Sequence, residues 1–194
     1  MDKLKRENLM SLETYAEQRS ELRTRVMVHK KNRHVAVGPN ATLQFEDRLT
    51  MQYQIQEMLR IERIFDRAGI EEELAAYNPL IPDGTNWKAT FMVEFDDPQE
   101  RKHALGRLIG IEDAVWVRVG DGERVYAVAD EDMERETEEK TSAVHFLRFE
   151  LPAPACIAAK KGAAIAMGID HPEYHHEIGA VAEAVRAALA ADLD

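Results

Sequence analysis

Cysteine is almost absent from this chain, since Cys156 is the single cysteine among 194 residues. One cysteine can form neither an intrachain disulfide nor an all-cysteine metal site, so the sequence predicts a reducing compartment. The chain also lacks an apolar run long enough to span a bilayer, and its N-terminus lacks the apolar core of a signal peptide. We therefore expect a cytoplasmic protein with no membrane partner.

Several catalytic signatures are missing as well. Neither the glycine-rich dinucleotide fingerprint nor the P-loop pattern occurs. The few serines, Ser11, Ser20 and Ser142, do not lie in a nucleophile elbow. Cys156 lies in an apolar segment, which favours a buried, inert thiol. The sequence therefore shows no recognisable catalytic set.

Positive charge is scarce, because 25 Lys and Arg stand against 36 Asp and Glu and the net charge is −11. Such a chain repels phosphate backbones, so we expect no broad nucleic-acid binding. Residues 29–34 (HKKNRH) form the one basic cluster, which can attract an anionic ligand or partner. The simpler interpretation is a solvated helix end, where cations favour the negative end of the helix dipole.

Periodicity predicts a single α+β domain over residues 1–194, with a mostly antiparallel sheet packed against a long central helix and flanking N- and C-terminal helices. The clearest strand covers residues 87–95, where apolar and polar residues alternate. Turn residues predict hairpins around Gly38-Pro39-Asn40 and Gly120-Asp121-Gly122. A last hairpin is predicted to join residues 155–159 and 163–167, and the acidic residues 130–140 are predicted to form an exposed loop.

The segment Asp47–Pro82 carries the longest helical pattern, with Gly69 as its predicted internal stop. A helical projection places Glu62 among apolar residues that include Phe65. An ionised carboxylate in such a layer needs a cation, several donors or a metal ion. Arg19, on the apolar stripe of the first helix, is a candidate counter-charge; a functional carboxylate is the alternative, and a face partly open to solvent is the third interpretation.

A histidine cluster near the C-terminus suggests a metal site. If a helix begins at Pro172, His171 and His175 lie about one turn apart, a spacing that can chelate a transition metal. Glu62 can supply a further ligand, and such a set would favour zinc, iron or manganese. The simpler interpretation is a polar helix start with exposed histidines.

Residues 33–82, containing VAVGPNATLQFEDRLTMQYQIQEMLRIERI and ELAAYNPLIP, resemble an uncharacterised bacterial family catalogued as domain of unknown function 3501. The segments TSAVHFLRF and GIDHPEY also resemble that family, so the likeness covers nearly the whole chain. The resemblance implies no assigned activity. The genes of that family tend to lie beside those of rubrerythrin-like and iron–sulfur oxidoreductase-like proteins. The ligand-binding candidates that it implies are Arg48, Tyr53, Gln54, Glu57, Arg60 and Glu62.

Three functional hypotheses follow. The leading one is a non-enzymatic binding or accessory protein that serves an iron-containing oxidoreductase, such as a rubrerythrin-like or iron–sulfur protein. The second is a metal-dependent enzyme that uses Glu62, His171 and His175. The third is a sensor that grips a small anion with Arg48, Arg60 or Arg33. All three are compatible with a homo-oligomer.

Overall fold

The computed structural model describes residues 2–129 and 141–194, and within them the chain forms six α-helices and two antiparallel sheets. The acidic segment 130–140, predicted as an exposed loop, lies outside the described residues. The helices are α1 (Leu12–Lys31), α2 (Arg48–Glu62), α3 (Arg67–Tyr77), α4 (Pro98–Arg107), α5 (Ala153–Lys160) and α6 (Glu183–Ala191). Short 3-10 helices cover Arg6–Asn8, Asn78–Leu80 and Glu112–Ala114.

The strands are β1 (His34–Ala36), β2 (Ala41–Phe45), β3 (Asn86–Val93), β4 (Val115–Val119), β5 (Val125–Tyr126), β6 (Val128–Ala129), β7 (Val144–Glu150), β8 (Ile165–His171) and β9 (Tyr174–Ile178). The first sheet has the order β1-β2-β3-β7-β6 and the second has the order β5-β4-β8-β9. Every neighbouring pair is antiparallel. The prediction of an α+β fold is confirmed, with two sheets in place of one.

One apolar core joins the two sheets. Alternation along β3 turns Trp87 and Phe91 into this core, where Trp87 lies opposite Phe149 of β7. The indole N–H of Trp87 donates to the carbonyl oxygen of Leu189 at 2.9 Å, which ties α6 to the first sheet. The second sheet contributes the apolar side chains of Val115, Val117, Ile165, Met167 and Ile169.

A second layer consists of α1, α2, α3 and the N-terminal segment. Ile55 and Leu59 of α2 pack with Leu74 of α3 and Leu4, while Tyr15 and Val26 of α1 lie in a smaller cluster beside α2. Side-chain caps begin α1 and α2, because Ser11 accepts from the N–H of Thr14 and Asp47 accepts from that of Thr50. Within the described residues, no helix combines the length and apolar character that crossing a bilayer requires.

The predicted hairpin at residues 38–40 is confirmed, and its turn is fixed by contact with the second sheet. Gly38 has a φ of +79°, and a Cβ atom there would lie 2.6 Å from the ring of His176. The hydroxyl of Tyr174 donates to the carbonyl oxygen of Val37 and accepts from the N–H of Asn40, both at 2.9 Å. Only glycine can adopt the positive φ of this turn and also leave room for the ring of His176.

Two predicted boundaries of the central helix are wrong. α2 ends at Glu62, because Arg63 adopts the left-handed conformation with φ 56°, and Gly69 lies inside α3. The N–H of Ile64 donates to the carbonyl oxygen of Leu59 at 2.9 Å, which closes the helix end. The longest helix is therefore α1, with 20 residues against 15 in α2.

Two predictions in the last third of the chain are also wrong. Residues 153–160 form helix α5 in place of a strand, since alanine favours helices and a short apolar run fits both periods. Pro172 lies in the turn of the β8–β9 hairpin, and the C-terminal helix begins only at Glu183. The four-residue spacing of Tyr174 and Ile178 fits the same face of a strand as well as of a helix.

Candidate interaction surface

Glu62 does not enter an apolar layer. It is exposed at the last position of α2, where Leu59 is the final buried residue of the helix. The projection assumed that the helix and its packed face continued to Phe65, but the turn at Arg63 ends both. The interpretation as a face partly open to solvent is therefore the correct one for this position.

Glu57 is the carboxylate that α2 turns toward α1. The guanidinium of Arg19 donates to both of its oxygens at 2.8 Å, and the hydroxyl of Tyr15 donates to Oε1 at 2.7 Å. Arg60, one turn further along α2, adds a longer bond of 3.2 Å. Arg19, a candidate counter-charge for a carboxylate in the apolar layer, does pair with a carboxylate, but that carboxylate belongs to Glu57.

These bonds shift the acidity of both partners. The hydrogen bonds from Arg19 hold the pKa of the Glu57 carboxyl well below its ordinary 4.5. Burial, together with the bond to Glu57, raises the pKa of the Tyr15 hydroxyl. Glu57 is therefore a stable anion that fastens α2 to α1 and is poorly suited to take up a proton in catalysis.

The six ligand-binding candidates do not form one cluster of bonded side chains. Glu57 and Arg60 bond to each other, whereas Tyr53 packs against the α1 cluster that contains Tyr15. Arg48 and Gln54 are half-buried and make no side-chain hydrogen bond or ion pair to the other candidates within residues 2–129 and 141–194. These six candidates therefore mark the contact between α1 and α2 more than a ligand pocket.

Arg33, a candidate for gripping an anion in the sensor hypothesis, is buried and already paired. Its guanidinium makes two bonds to the carboxylate of Asp192, at 2.8 and 2.7 Å, and its Nε lies 3.1 Å from Asp47. His29 lies 2.6 Å from the same Asp47 oxygen. Arg33 therefore binds two carboxylates of its own chain and joins the start of α2 to the end of α6.

His171 and His175 lie on a β-hairpin, not on one face of a helix. The ring of His171 is buried, with Nε2 3.1 Å from the carbonyl oxygen of Ile109 and Nδ1 accepting from the N–H of Glu173. Both nitrogens are thus occupied, while His175 is exposed near Asp170. Across the described ranges, no three His, Cys, Asp or Glu side chains gather as a metal site would require. The zinc, iron or manganese prediction gains no geometric support.

The turn that ends α2 exposes apolar side chains. Phe65 is 78% exposed and Ile61 is 60% exposed, the two largest values among the large apolar side chains that the structure describes. Phe65 was expected on the packed face of the central helix, and this expectation is wrong. The sequence signal that could have located it is Asp66, which accepts from the N–H of Gly69 and begins a new helix.

An apolar pocket of about 280 Å³ opens beside Phe65. Its wall is formed by the N-terminal segment, the end of α2 and the start of α3. The lining residues are Arg6, Leu9, Met10, Ser11, Leu12, Leu59, Ile64, Phe65 and Ile70. We call Phe65 and this pocket the Phe65 surface.

A wider groove continues from the Phe65 surface. It measures about 750 Å³, lies between residues 4–7 and α3, and shares Arg6 with the apolar pocket. Asn78 fixes its floor, because its side-chain amide bonds to both the N–H and the carbonyl oxygen of Leu4. A partner seated on Phe65 can therefore extend along α3.

The fold places the chain among α+β proteins in which two antiparallel sheets share one core. The chain belongs to the family described as protein of unknown function (DUF3501), whose profile matches residues 3–193. It is similar to a crystal structure, at 1.90 Å resolution, of a novel protein of unknown function from Burkholderia pseudomallei K96243. The two share 51% identity over 100% of both chains, with a TM-score of 0.95. Comparison with curated proteins gives no match.

Proposed function

We propose that this protein is a binding or accessory protein that docks another protein through the Phe65 surface. The exposure of Phe65 beside an apolar pocket carries the proposal. Aromatic side chains at well-packed pockets contribute most of the binding energy in many interfaces. Covering Phe65 would contribute about 1.5–3 kcal/mol, because its ring is exposed in the free protein.

The partner is expected to present an aliphatic side chain that fills the apolar pocket and a surface that covers Phe65. Charged residues of both signs border this site, because Arg6 lines the apolar pocket and Arg67 and Glu71 line the adjoining groove. Such a mixed rim gives specificity and excludes water around the apolar centre. In keeping with the family's gene neighbours, we propose a rubrerythrin-like or iron–sulfur protein as the partner, and the cytoplasm as the place of contact.

The direct test uses a purified rubrerythrin-like protein and a purified iron–sulfur oxidoreductase encoded beside a member of this family. Biolayer interferometry compares the wild type, Phe65→Ser and the control Ile157→Ser, because Ile157 is 54% exposed on α5. We expect at least one of the two proteins to bind, with an affinity reduced about tenfold or more by Phe65→Ser and unchanged by Ile157→Ser. Equal binding by all three forms, or no binding by the wild type, would refute the proposal.

The metal-dependent enzyme and the anion sensor have no specific observation in their favour. Elemental analysis of protein purified without a histidine tag tests the metal-dependent enzyme, since stoichiometric metal that is lost on His171→Ala would support it. A thermal-shift screen with small anions distinguishes the second, because a ligand that binds only the native state raises the melting temperature.

A further inference from the structure

The second half of α1 carries an unusual concentration of positive charge. Acids make up 36 of the 194 residues, yet none occurs between residues 22 and 45. In the same stretch, α1 contributes four cations whose side chains reach solvent. These are Arg23, Arg25, Lys30 and Lys31.

Helix geometry gathers three of these cations on one flank of α1, beside the buried stripe that faces α2. Leu22 and Val26 form that stripe, and at about 100° per residue Arg23, Met27, Lys30 and Lys31 fall within an arc of about 100° on one side of it. Met27 is 38% exposed within this arc, and Val28, which is 59% exposed, lies just beyond Lys31. We call Arg23, Met27, Val28, Lys30 and Lys31 the basic face.

The helix dipole explains only part of this arrangement. Lys30 and Lys31 lie in the last turn of α1, where cations stabilise the negative end of a helix. Arg23 lies about two turns earlier, beyond the reach of that effect. A structural role in the fold therefore does not account for the whole face.

The cations of the basic face differ from several surface arginines that are already paired within the chain. On the second sheet, Arg124 pairs with Asp170 at 2.7 Å and with Glu177 at 3.3 Å. On α6, Arg186 pairs with Glu183. Among the described residues, Arg23, Lys30 and Lys31 make no side-chain hydrogen bond or ion pair, so their charges are available to a partner.

We infer that the basic face docks an acidic, partly apolar surface of a partner protein. Met27, between the cations, and Val28, beside Lys31, supply apolar contact, and the cations supply charge complementarity and steering. A nucleic acid would use the cations but not the two apolar side chains. A membrane surface would call for larger apolar groups such as Trp, Phe or Leu on this side.

The basic face lies at the opposite end of α1 from the Phe65 surface. Residues 10–12, at the start of α1, line the apolar pocket, whereas the basic face covers the last three turns of the helix. The inference therefore goes beyond the proposed function and does not depend on it. It can hold for the same partner or for a second one.

The test uses a fluorescent synthetic helical peptide with a leucine stripe between two rows of glutamates. Fluorescence anisotropy measures its binding to the wild type, to R23E/K31E and to the control R101E/K102E. Arg101 and Lys102 are exposed on α4, so both double variants have the same net charge. Anionic vesicles containing phosphatidylglycerol and a single-stranded DNA oligonucleotide are measured in parallel.

We expect the peptide to bind the wild type and the control alike, and R23E/K31E to bind it about tenfold more weakly or worse. Raising the salt from about 50 to about 200 mM should weaken binding to the wild type, because screening shortens the reach of exposed charges. Val28→Ser should also weaken it. Equal binding by both double variants, no peptide binding, or tighter binding to vesicles or DNA would overturn the inference.

Discussion

The two ends of the antiparallel α1–α2 pair differ in what they leave exposed. At the first end, where α1 stops and α2 starts, Arg33 is buried and its guanidinium is shared by Asp47 and Asp192. At the second end, where α2 stops, Glu57 holds the helices together but Phe65 faces solvent. The buried charge of Arg33 at the first end is used for the fold, whereas the second end leaves apolar surface exposed.

The physical reason lies in how each end is terminated. Asp47 caps α2 with its side chain, and the same carboxylate pairs with Arg33. One carboxylate therefore stabilises both the start of the helix and a tertiary contact. The end of α2 depends on Arg63, a residue with a side chain in a conformation that favours glycine. A residue with a side chain keeps this strained conformation only where surrounding contacts stabilise it or where the side chain has a function.

The largest expected effect is at the first end. Arg33→Met would leave Asp47 and Asp192 buried without their cation, and removal of one partner of a buried ion pair costs about 3–5 kcal/mol. Urea denaturation measures this loss in the free energy of unfolding. Arg23→Met, at an exposed and unpaired arginine, serves as the control and should stay within about 0.5 kcal/mol of wild type. A similarly small loss for Arg33→Met would mean that the first end is not held by charge.

A smaller effect is expected from Glu57, and it should depend on pH. The pKa of Glu57 is lower in the folded than in the unfolded chain, so its ionisation stabilises the protein above the unfolded pKa, near 4.5, and this stabilisation is lost as pH falls through the folded pKa. Glu57→Gln should cost about 1.5–3 kcal/mol at neutral pH, the range for hydrogen bonds to a charged group.

Urea denaturation at a series of pH values checks this dependence. The difference between wild type and Glu57→Gln should narrow as the pH falls below 4.5, because the unfolded wild type then takes up a proton at Glu57 that the folded protein does not. A difference that stays constant with pH would show that the ion cluster with Arg19 contributes nothing beyond neutral hydrogen bonds.

The smallest effect is a gain. Arg63→Gly should stabilise the fold by about 1 kcal/mol, because glycine adopts the left-handed conformation without the steric cost of a side chain. Thermal unfolding measures it, and Arg60→Gly, inside α2, should show a loss of about 1 kcal/mol instead. A loss on Arg63→Gly would mean that the arginine side chain itself supports the turn.

Much of the fold could be predicted from sequence where one period runs over many residues or where turn residues mark a hairpin. The strand containing Trp87 and Phe91 and the hairpin at residues 38–40 are confirmed for this reason. Prediction failed at Tyr174–Ile178, where the spacing of apolar residues fits a strand and a helix equally. His175 and Glu177 are exposed because β9 pairs with β8, and no local sequence pattern predicts that pairing.

The candidate surface was harder to predict than the fold. Apolar periodicity places Phe65 on a packed face, and only the helix end at Arg63 reverses its environment. A non-glycine residue that ends a helix in the left-handed region carries a weak local signal. The inward carboxylate was expected at Glu62 for the same reason, and Arg19, its candidate counter-charge, pairs with Glu57 instead. Both errors at the candidate surface therefore arose because the end of the helix was predicted at the wrong residue.

The most direct test of the central claim is site-specific photo-crosslinking from position 65 in living cells. p-Benzoylphenylalanine is incorporated at position 65 and, as a control, at position 157, and the adducts are identified by mass spectrometry. The proposed function predicts that position 65 captures an iron-containing oxidoreductase that position 157 does not. Capture of the same proteins from both positions, or no adduct from position 65, would contradict it.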